Sequence, residues 1–206
     1  KDFEMLTRFA LGKDKTLQKD EGAAYRSPRI VRHNEAERPS RSNAIIYLAQ
    51  KQHSSYGRDS YSNFLHSIEL LRQNYLSINN HMANTDVFIF HTGDFNSTDL
   101  EVFENHLGAV GVLRLVDLSG TKYWARPQSN ADDRPEDWYA WPLFSEGYRR
   151  MMHWFAIDVW QFFDELNKET GCSYRYLFRL DEDSFIHSPI EYDIFELTKT
   201  RKFVYG

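Results

Sequence analysis

Ala44-Ile45-Ile46-Tyr47-Leu48-Ala49 is an unbroken apolar run of strand length. Alternation of apolar and polar residues marks a strand with one wet face, whereas an unbroken run marks a strand covered on both faces, as in a parallel sheet. Asp86-Val87-Phe88-Ile89-Phe90 repeats the pattern, and Val110 to Leu118 reads as a third strand. Between the first two, Tyr61, Phe64, Leu65, Ile68, Leu71 and Tyr75 fall at helical spacing, with Asp59 or Ser60 placed to cap. Between the second and third, Thr98 with Glu101 fits a capping box, and Leu100, Phe103 and Leu107 form an apolar face. Strand, helix, strand, helix, strand predicts an α/β domain of Rossmann-like type: a mixed, largely parallel sheet flanked by helices.

A long helix follows from about Ser145 to Lys168, with Met152, Phe155, Val159, Phe162, Phe163 and Leu166 on one face and Gly171 ending it. In the next stretch Tyr174, Tyr176, Phe178 and Leu180 alternate with Arg175, Leu177 and Arg179, the mark of a strand. The segment from Thr121 to Pro142 is aromatic and irregular. Its Tyr123-Trp124 and Trp138-Tyr139-Ala140-Trp141 read equally as a platform for an acceptor sugar and as a hydrophobic plug. Residues 1–42 are polar, with Pro-bearing basic patches and no amphipathic period, so they are expected to be a poorly structured stem or linker before a domain spanning 43–206.

Several classes are disfavoured. With 30 acids against 25 bases and no long block of either sign, nucleic acid is not an expected partner. The single Cys172 allows no internal disulfide and no CxxC zinc site. The histidines lack HxxxH or HxH spacing, and no Gly-x-Ser-x-Gly elbow is present. Asp94, after His91-Thr92-Gly93, reads as a turn residue. Asn96-Ser97-Thr98 fits an N-glycosylation acceptor. No apolar run is long enough to cross a bilayer. The chain starts at Lys1 and stops on the strand-like Phe203-Val204-Tyr205-Gly206, so the expectation is a domain cut at both ends, with room for a signal or anchor upstream.

The chemistry-bearing feature is Asp181-Glu182-Asp183, where an aromatic strand stops at three consecutive carboxylates. Ligands of open α/β sheets bind beyond the carboxyl ends of the strands. In extended chain Asp181 and Asp183 would point the same way, and like charges held together call for a cation. Their hard oxygens suit Mn²⁺ or Mg²⁺, which take one or two protein carboxylates and complete their shell with water and phosphate. A solvated turn or a helix cap is the alternative origin of such a triplet.

Tyr174-Arg-Tyr-Leu-Phe-Arg-Leu-Asp-Glu-Asp-Ser-Phe-Ile186, followed by the helix-like Ile190-Glu-Tyr-Asp-Ile-Phe-Glu-Leu197 and continued to Phe203-Val-Tyr-Gly206, with Tyr192-Asp-Ile-Phe195 within it, resembles the sugar-nucleotide half of a GT-A glycosyltransferase. More narrowly, it is similar to glycosyltransferase family 15, the Golgi α-1,2-mannosyltransferases, which carry Tyr-x-Trp-Arg-Val-Glu-Pro-Asp here, then Tyr-Asp-Val-Phe and Val-Tyr-Gly. Glu146-Gly-Tyr-Arg-Arg-Met151 resembles that family's Ser-Tyr-Arg-His-Met, and Asn43 to Ala49 its first strand. The resemblance implies a GT-A-like fold and metal-assisted transfer of mannose, with retention, from GDP-mannose to a hydroxyl of a glycan or glycoprotein. It implies Mn²⁺ or Mg²⁺ on Asp181 and Asp183, and donor contacts from Gln50, Lys51, Tyr148, Arg149 and Asp181, with Tyr148 near the sugar. It also implies a Golgi-lumen protein anchored in type II fashion upstream of this chain, with its catalytic Glu and a His ligand beyond Gly206. There are departures: the family's Glu-Pro-Asp is Asp-Glu-Asp here, its first strand ends in Arg where Gln50 and Lys51 stand, and its Cys-Arg and Ser-Gly are Met152-His153 and Ala156-Ile157. Two other readings stand beside the transferase: a metal-dependent phosphohydrolase using Asp181 and Asp183, and a non-catalytic nucleotide-sugar-binding or scaffold domain.

Overall fold

The two unbroken apolar runs become adjacent inner strands. A computed structural model of the chain describes residues 25–32, 42–52, 59–78, 85–108, 112–125 and 146–203. Its strands are β1 (Arg29–Arg32), β2 (Asn43–Leu48), β3 (Thr85–His91), β4 (Val112–Asp117) and β5 (Tyr176–Asp181), arranged β1-β4-β3-β2-β5 in one sheet. β2 runs parallel to β3 and β5, and β3 parallel to β4, while β1 pairs antiparallel with β4. The sheet is therefore mixed, in an α/β arrangement compatible with a Rossmann-like fold.

Its antiparallel edge corrects the sequence expectation twice. β1 lies inside the segment read as a stem, and its antiparallel pairing makes the sheet mixed rather than largely parallel. Four residues flanked by Arg at both ends carry no period to detect. Ile30 and Val31 nevertheless reach the two opposite faces of the sheet, and the backbone groups of β4 gain a partner they would otherwise lack.

Helices cover both faces. On one lie α1 (Ser60–Leu71), extended by a π turn at Arg72–Leu76, and α2 (Ser97–Leu107). They enclose Ile45, Tyr47, Val87 and Ile89 with Phe64, Ile68 and Phe103, and α5 (Ile194–Arg201) joins them through Phe195. On the other, a π turn at Trp154–Asp158 and α4 (Val159–Thr170) pack over Ala44, Ile46, Phe88, Phe90 and Val116, preceded by α3 (Glu146–His153), which fully buries none of its residues. Neighbouring residues of β2 and β3 thus enter different cores, which is why neither strand alternates. All seven residues of β3 are buried.

Three local expectations shift. Asp59 caps α1 by accepting from the Ser62 amide at 3.0 Å, as expected. The box on α2, however, is Asn96 with Asp99: Asn96 Oδ1 accepts from the Thr98 amide at 2.9 Å, and Asp99 Oδ2 from the Asn96 amide at 2.8 Å. Phe95 and Leu100, at the staple positions on either side, are both buried in the same core, which favours this register over one starting at Thr98. α5 begins later than the helix-like stretch from Ile190, because Asp193 accepts from the Phe195 and Glu196 amides. In the long helix, the π turn widens one turn and rotates α3 relative to α4. Trp154, fully buried, then faces the sheet, while Met152 is 48% exposed.

The long aromatic segment is only partly described. Tyr123 and Trp124 form a short 3-10 turn, whereas Trp138, Tyr139 and Trp141 lie outside the described residues, as do residues 204–206 of the strand-like end. Among the described residues, no helix is long and apolar enough to cross a membrane.

Candidate functional site

The direction of strand succession reverses at β2. From β2 the chain steps through α1 to β3 and through α2 to β4 on one side, and then places β5 on the other. Ligands of open α/β sheets bind at such a reversal, outside the carboxyl ends of the strands. Here Leu48 of β2 stands in register with Asp181 of β5. Ala49-Gln50-Lys51 and Asp181-Glu182-Asp183 therefore leave the sheet side by side.

Asp181 is the last residue of β5, and Glu182 and Asp183 do not continue the strand. The Ser184 amide donates to the Asp181 carbonyl at 2.9 Å, and the Asp181 amide to Ser184 Oγ at 2.9 Å, so residues 181–184 form a closed turn. This corrects the expectation that strand pleat alone sets Asp181 beside Asp183. Asp181 and Asp183 are exposed, while Glu182 is half-buried. Asp181 Oδ1 accepts from Arg179 Nη2 at 2.7 Å and Nε at 3.1 Å. The Arg179 guanidinium in turn lies 3.7 Å from the centroid of the Phe155 ring.

Glu182 turns inward. Its Oε2 accepts from the Gln50 amide at 3.2 Å, and the hydroxyl of Ser60, the first residue of α1, donates to the same carboxylate. Burial pushes its carboxyl above the ordinary range; Ser60 and Gln50 oppose that shift, and the charges of Asp183 and Asp181 add to it. Below Glu182 the chain remains fastened to α1. Ser67 Oγ donates to the Ser184 carbonyl at 2.6 Å, Asn74 Nδ2 to the Ile186 carbonyl at 2.5 Å, and the Ile190 amide to the Asn74 carbonyl at 2.8 Å. The buried Tyr47 hydroxyl of β2 shares Ser67 at 3.2 Å. Ser60, Ser67 and Asn74 are seven residues apart, so they form a polar seam along one helix face. Sequence reasoning missed this seam; its signal was small polar residues at a repeat of seven within an amphipathic helix.

The other expected donor contacts are placed unequally. Lys51 lies at the crevice, but its ammonium pairs with Asp99 Oδ2 at 2.8 Å, and its amide donates to Asp94 Oδ2 at 2.7 Å. Burial works against ionisation of Asp94, yet the His91 ring and the Lys51 amide outweigh it and hold its carboxyl below the usual range. His91 Nδ1 accepts from the Gly93 and Phe95 amides at 3.1 and 3.3 Å, which orders the turn after β3. Gln50 contributes its backbone amide to Glu182. Tyr148 is exposed on α3 and Arg149 is half-buried beside it. Tyr148 stands seven residues, roughly 10 Å of helix, before Phe155, and it is Phe155, in the π turn after α3, that meets Arg179.

Beside the crevice, at the ends of β3 and β4, Thr92, Ser119, Thr121, Trp124 and Arg150 line an open depression of about 700 Å³. Tyr123 is instead buried, with its hydroxyl donating to Glu165. Of the aromatic pair, Tyr123 is thus the plug and Trp124 the ring facing the depression.

Among the described residues, no group of three or more His, Cys, Asp or Glu could hold a metal ion. The acidic turn does not form a protein cage for a cation. Of its acids, Asp181 and Asp183 are exposed and Asp181 is shared with Arg179. Comparison with known proteins finds no matching family model, no matching curated protein and no matching solved structure.

Proposed function

We propose that this chain is the nucleotide-sugar-binding part of a metal-assisted GT-A glycosyltransferase that transfers a hexose, mannose from GDP-mannose, to a hydroxyl of a glycan. The observation that carries the reading is the position of Asp181-Glu182-Asp183, at the carboxyl ends of the strands where strand succession reverses. Asp181 and Asp183 hold the divalent cation, Mn²⁺ or Mg²⁺, with Glu182 directed away from it. When bound, such an ion neutralises the diphosphate leaving group as the sugar departs. Arg179 competes for Asp181 through Oδ1, and its guanidinium would supply positive charge to a phosphate held at this turn. Tyr148 and Arg149, on α3, are the residues assigned to the sugar and the diphosphate. With this reading go a Golgi-lumen location and a membrane anchor in the upstream sequence.

One observation favours a second reading. Asp181 is already paired with Arg179, and the Lys51 ammonium with Asp99, as in a domain that keeps the fold but has lost ligand chemistry. Calorimetric titration with GDP-mannose, with and without Mn²⁺, on the wild type and Asp181→Ala/Asp183→Ala separates the two. Binding that requires the metal and vanishes in the double variant supports the transferase. Binding that is absent or indifferent to both changes, in this chain and in one extended beyond Gly206, overturns it. Release of free GDP or phosphate without an acceptor would instead indicate a phosphohydrolase.

A further inference from the structure

We propose that the depression beyond the carboxyl ends of β3 and β4 is a subsite for a neutral sugar ring, which lies on the Trp124 indole and gives an oxygen to the Arg150 guanidinium. For the role of that ring the inference rests on the transferase reading, under which it belongs to the acceptor glycan. The binding itself needs neither the acidic turn nor a metal.

The walls are held in place before any ligand arrives. Ser119 donates its amide and hydroxyl to Asp117 Oδ1 at 2.8 and 2.7 Å, and Thr121 donates its amide and hydroxyl to the Leu118 carbonyl at 3.1 and 2.7 Å. The Arg26 amide donates to the Gly120 carbonyl at 3.2 Å, which brings Tyr25 to the rim. Arg150 Nη1 donates to the Trp124 carbonyl at 2.9 Å, so α3 and the Trp124 turn form a single wall. A volume of about 700 Å³ lies within the range of small-molecule sites.

The chemistry of the walls selects the ligand. In the Arg150 guanidinium, Nη1 serves the Trp124 carbonyl and Nη2 serves Glu146, while Nε has no acceptor among the described residues. An under-satisfied donor group on the wall of a depression calls for an acceptor, and a ligand oxygen seated there supplies one. Glu146 already compensates the Arg150 charge, and Asp117 that of Arg26, so the walls favour a neutral ligand over a phosphate or a carboxylate. An indole face beside the hydroxyls of Thr92 and Ser119 matches a pyranose, which packs its C–H face on an aromatic ring and presents oxygens at its edge. In the strand order β4-β3-β2-β5 the depression stands two to three strand spacings, about 10–14 Å, from the end of β5. The ring it holds is therefore a neighbour, in the same glycan, of the one that reacts.

The test titrates methyl α-D-mannopyranoside, and separately guanosine, into the metal-free chain, read by saturation-transfer difference NMR and tryptophan fluorescence. The proteins are the wild type, Trp124→Ala, Trp124→Phe, Arg150→Lys and Thr92→Val, each with a circular dichroism spectrum and a melting curve. The expected result is saturable sugar binding by the wild type, weakened roughly tenfold or more in Trp124→Ala and restored to within about threefold in Trp124→Phe. Arg150→Lys and Thr92→Val, the latter at an exposed position that leaves the fold intact, should each bind about 2–5-fold more weakly. Sugar binding unchanged in Trp124→Ala, Arg150→Lys and Thr92→Val overturns the proposal, as does guanosine binding that exceeds sugar binding and is lost in Trp124→Ala. Calorimetry with GDP and MnCl₂ on the wild type separates the two readings. GDP binding without sugar binding overturns the subsite alone, sugar binding without GDP binding overturns the transferase reading and leaves the subsite standing, and absence of both overturns both.

Discussion

The Asp86 carboxylate, fully buried on β3, accepts from both Nε and Nη2 of Arg114 on β4 at 3.0 Å, and Tyr174 donates its hydroxyl to the same oxygen. This group lies near the amino ends of the strands, opposite the acidic turn. Burial, and after it the Asp86 charge, pushes the Tyr174 phenol above its ordinary range, so it remains a donor at any physiological pH. Removing one member of a buried pair leaves the other uncompensated, so Asp86→Ala should cost about 3–5 kcal/mol. Asp86→Leu/Arg114→Met/Tyr174→Phe, which removes the donors together with their acceptor, should recover most of that loss. Urea unfolding of the three proteins checks this.

Arg179 holds the acid to which the metal is assigned. Arg179→Ala removes a competitor for Asp181 Oδ1 and should tighten Mn²⁺-dependent GDP binding. The pair is exposed on both sides, and such pairs contribute about 0.2–1 kcal/mol, so the gain should be roughly 2–5-fold. A loss of binding would mean that Arg179 acts on the phosphate rather than against the ion. Calorimetry distinguishes the two by sign.

Trp154 is fully buried against Phe90, Tyr123 and Phe162, at the point where the π turn rotates the helix. Trp154→Ala should destabilise by about 3–5 kcal/mol. Met152→Ala, one position the helical period assigned to the core, should stay within about 0.5 kcal/mol. Thermal melts of both variants test whether the π turn sets the phase.

The cap of α2 gives a similar discrimination. Asn96→Ala removes the acceptor for two amides and should cost about 1 kcal/mol. Thr98→Ala should be close to neutral, and the reverse order would restore the Thr98–Glu101 box. Denaturant midpoints decide it.

Glu165 carries the pH dependence. Burial raises its carboxyl, but hydrogen bonds from Lys122, Tyr123 and Gln161 outweigh it and lower it to about 2. Because the folded value lies below the unfolded one, the contribution is complete above about pH 4.5 and is lost as pH falls toward about 2. Glu165→Gln should be less stable than wild type at pH 7 and should converge with it near pH 2. Melting temperatures between pH 7 and 2 measure the difference.

Much of the fold is legible in the chain itself. Unbroken runs at β2 and β3 mark strands covered on both faces, because Ile45 and Ile46 enter different cores. The spacing of Phe64, Ile68 and Leu71 marks α1, and Gly171, in the left-handed conformation after α4, marks its end. The acidic triplet is visible as composition alone. These features are local, and periodicity and residue type carry them.

Other features depend on partners distant in sequence. β1 exists because β4 has a free edge, and its residues pair across more than 80 positions of chain. Trp154, rather than Met152, faces the core because a π turn inserts a rotation that no local period records. Above all, the different fates of Asp181, Glu182 and Asp183 are set by contacts more than a hundred residues away: Gln50 and Ser60 draw one carboxylate inward, and Ser67 and Asn74 hold the chain that follows. The sequence by itself determined that three carboxylates end an aromatic, strand-forming run; only the tertiary structure set that strand at the sheet edge with Leu180 alone fully buried and decided which carboxylate turns inward, because direction at a turn depends on which hydrogen-bond partners the rest of the fold brings there.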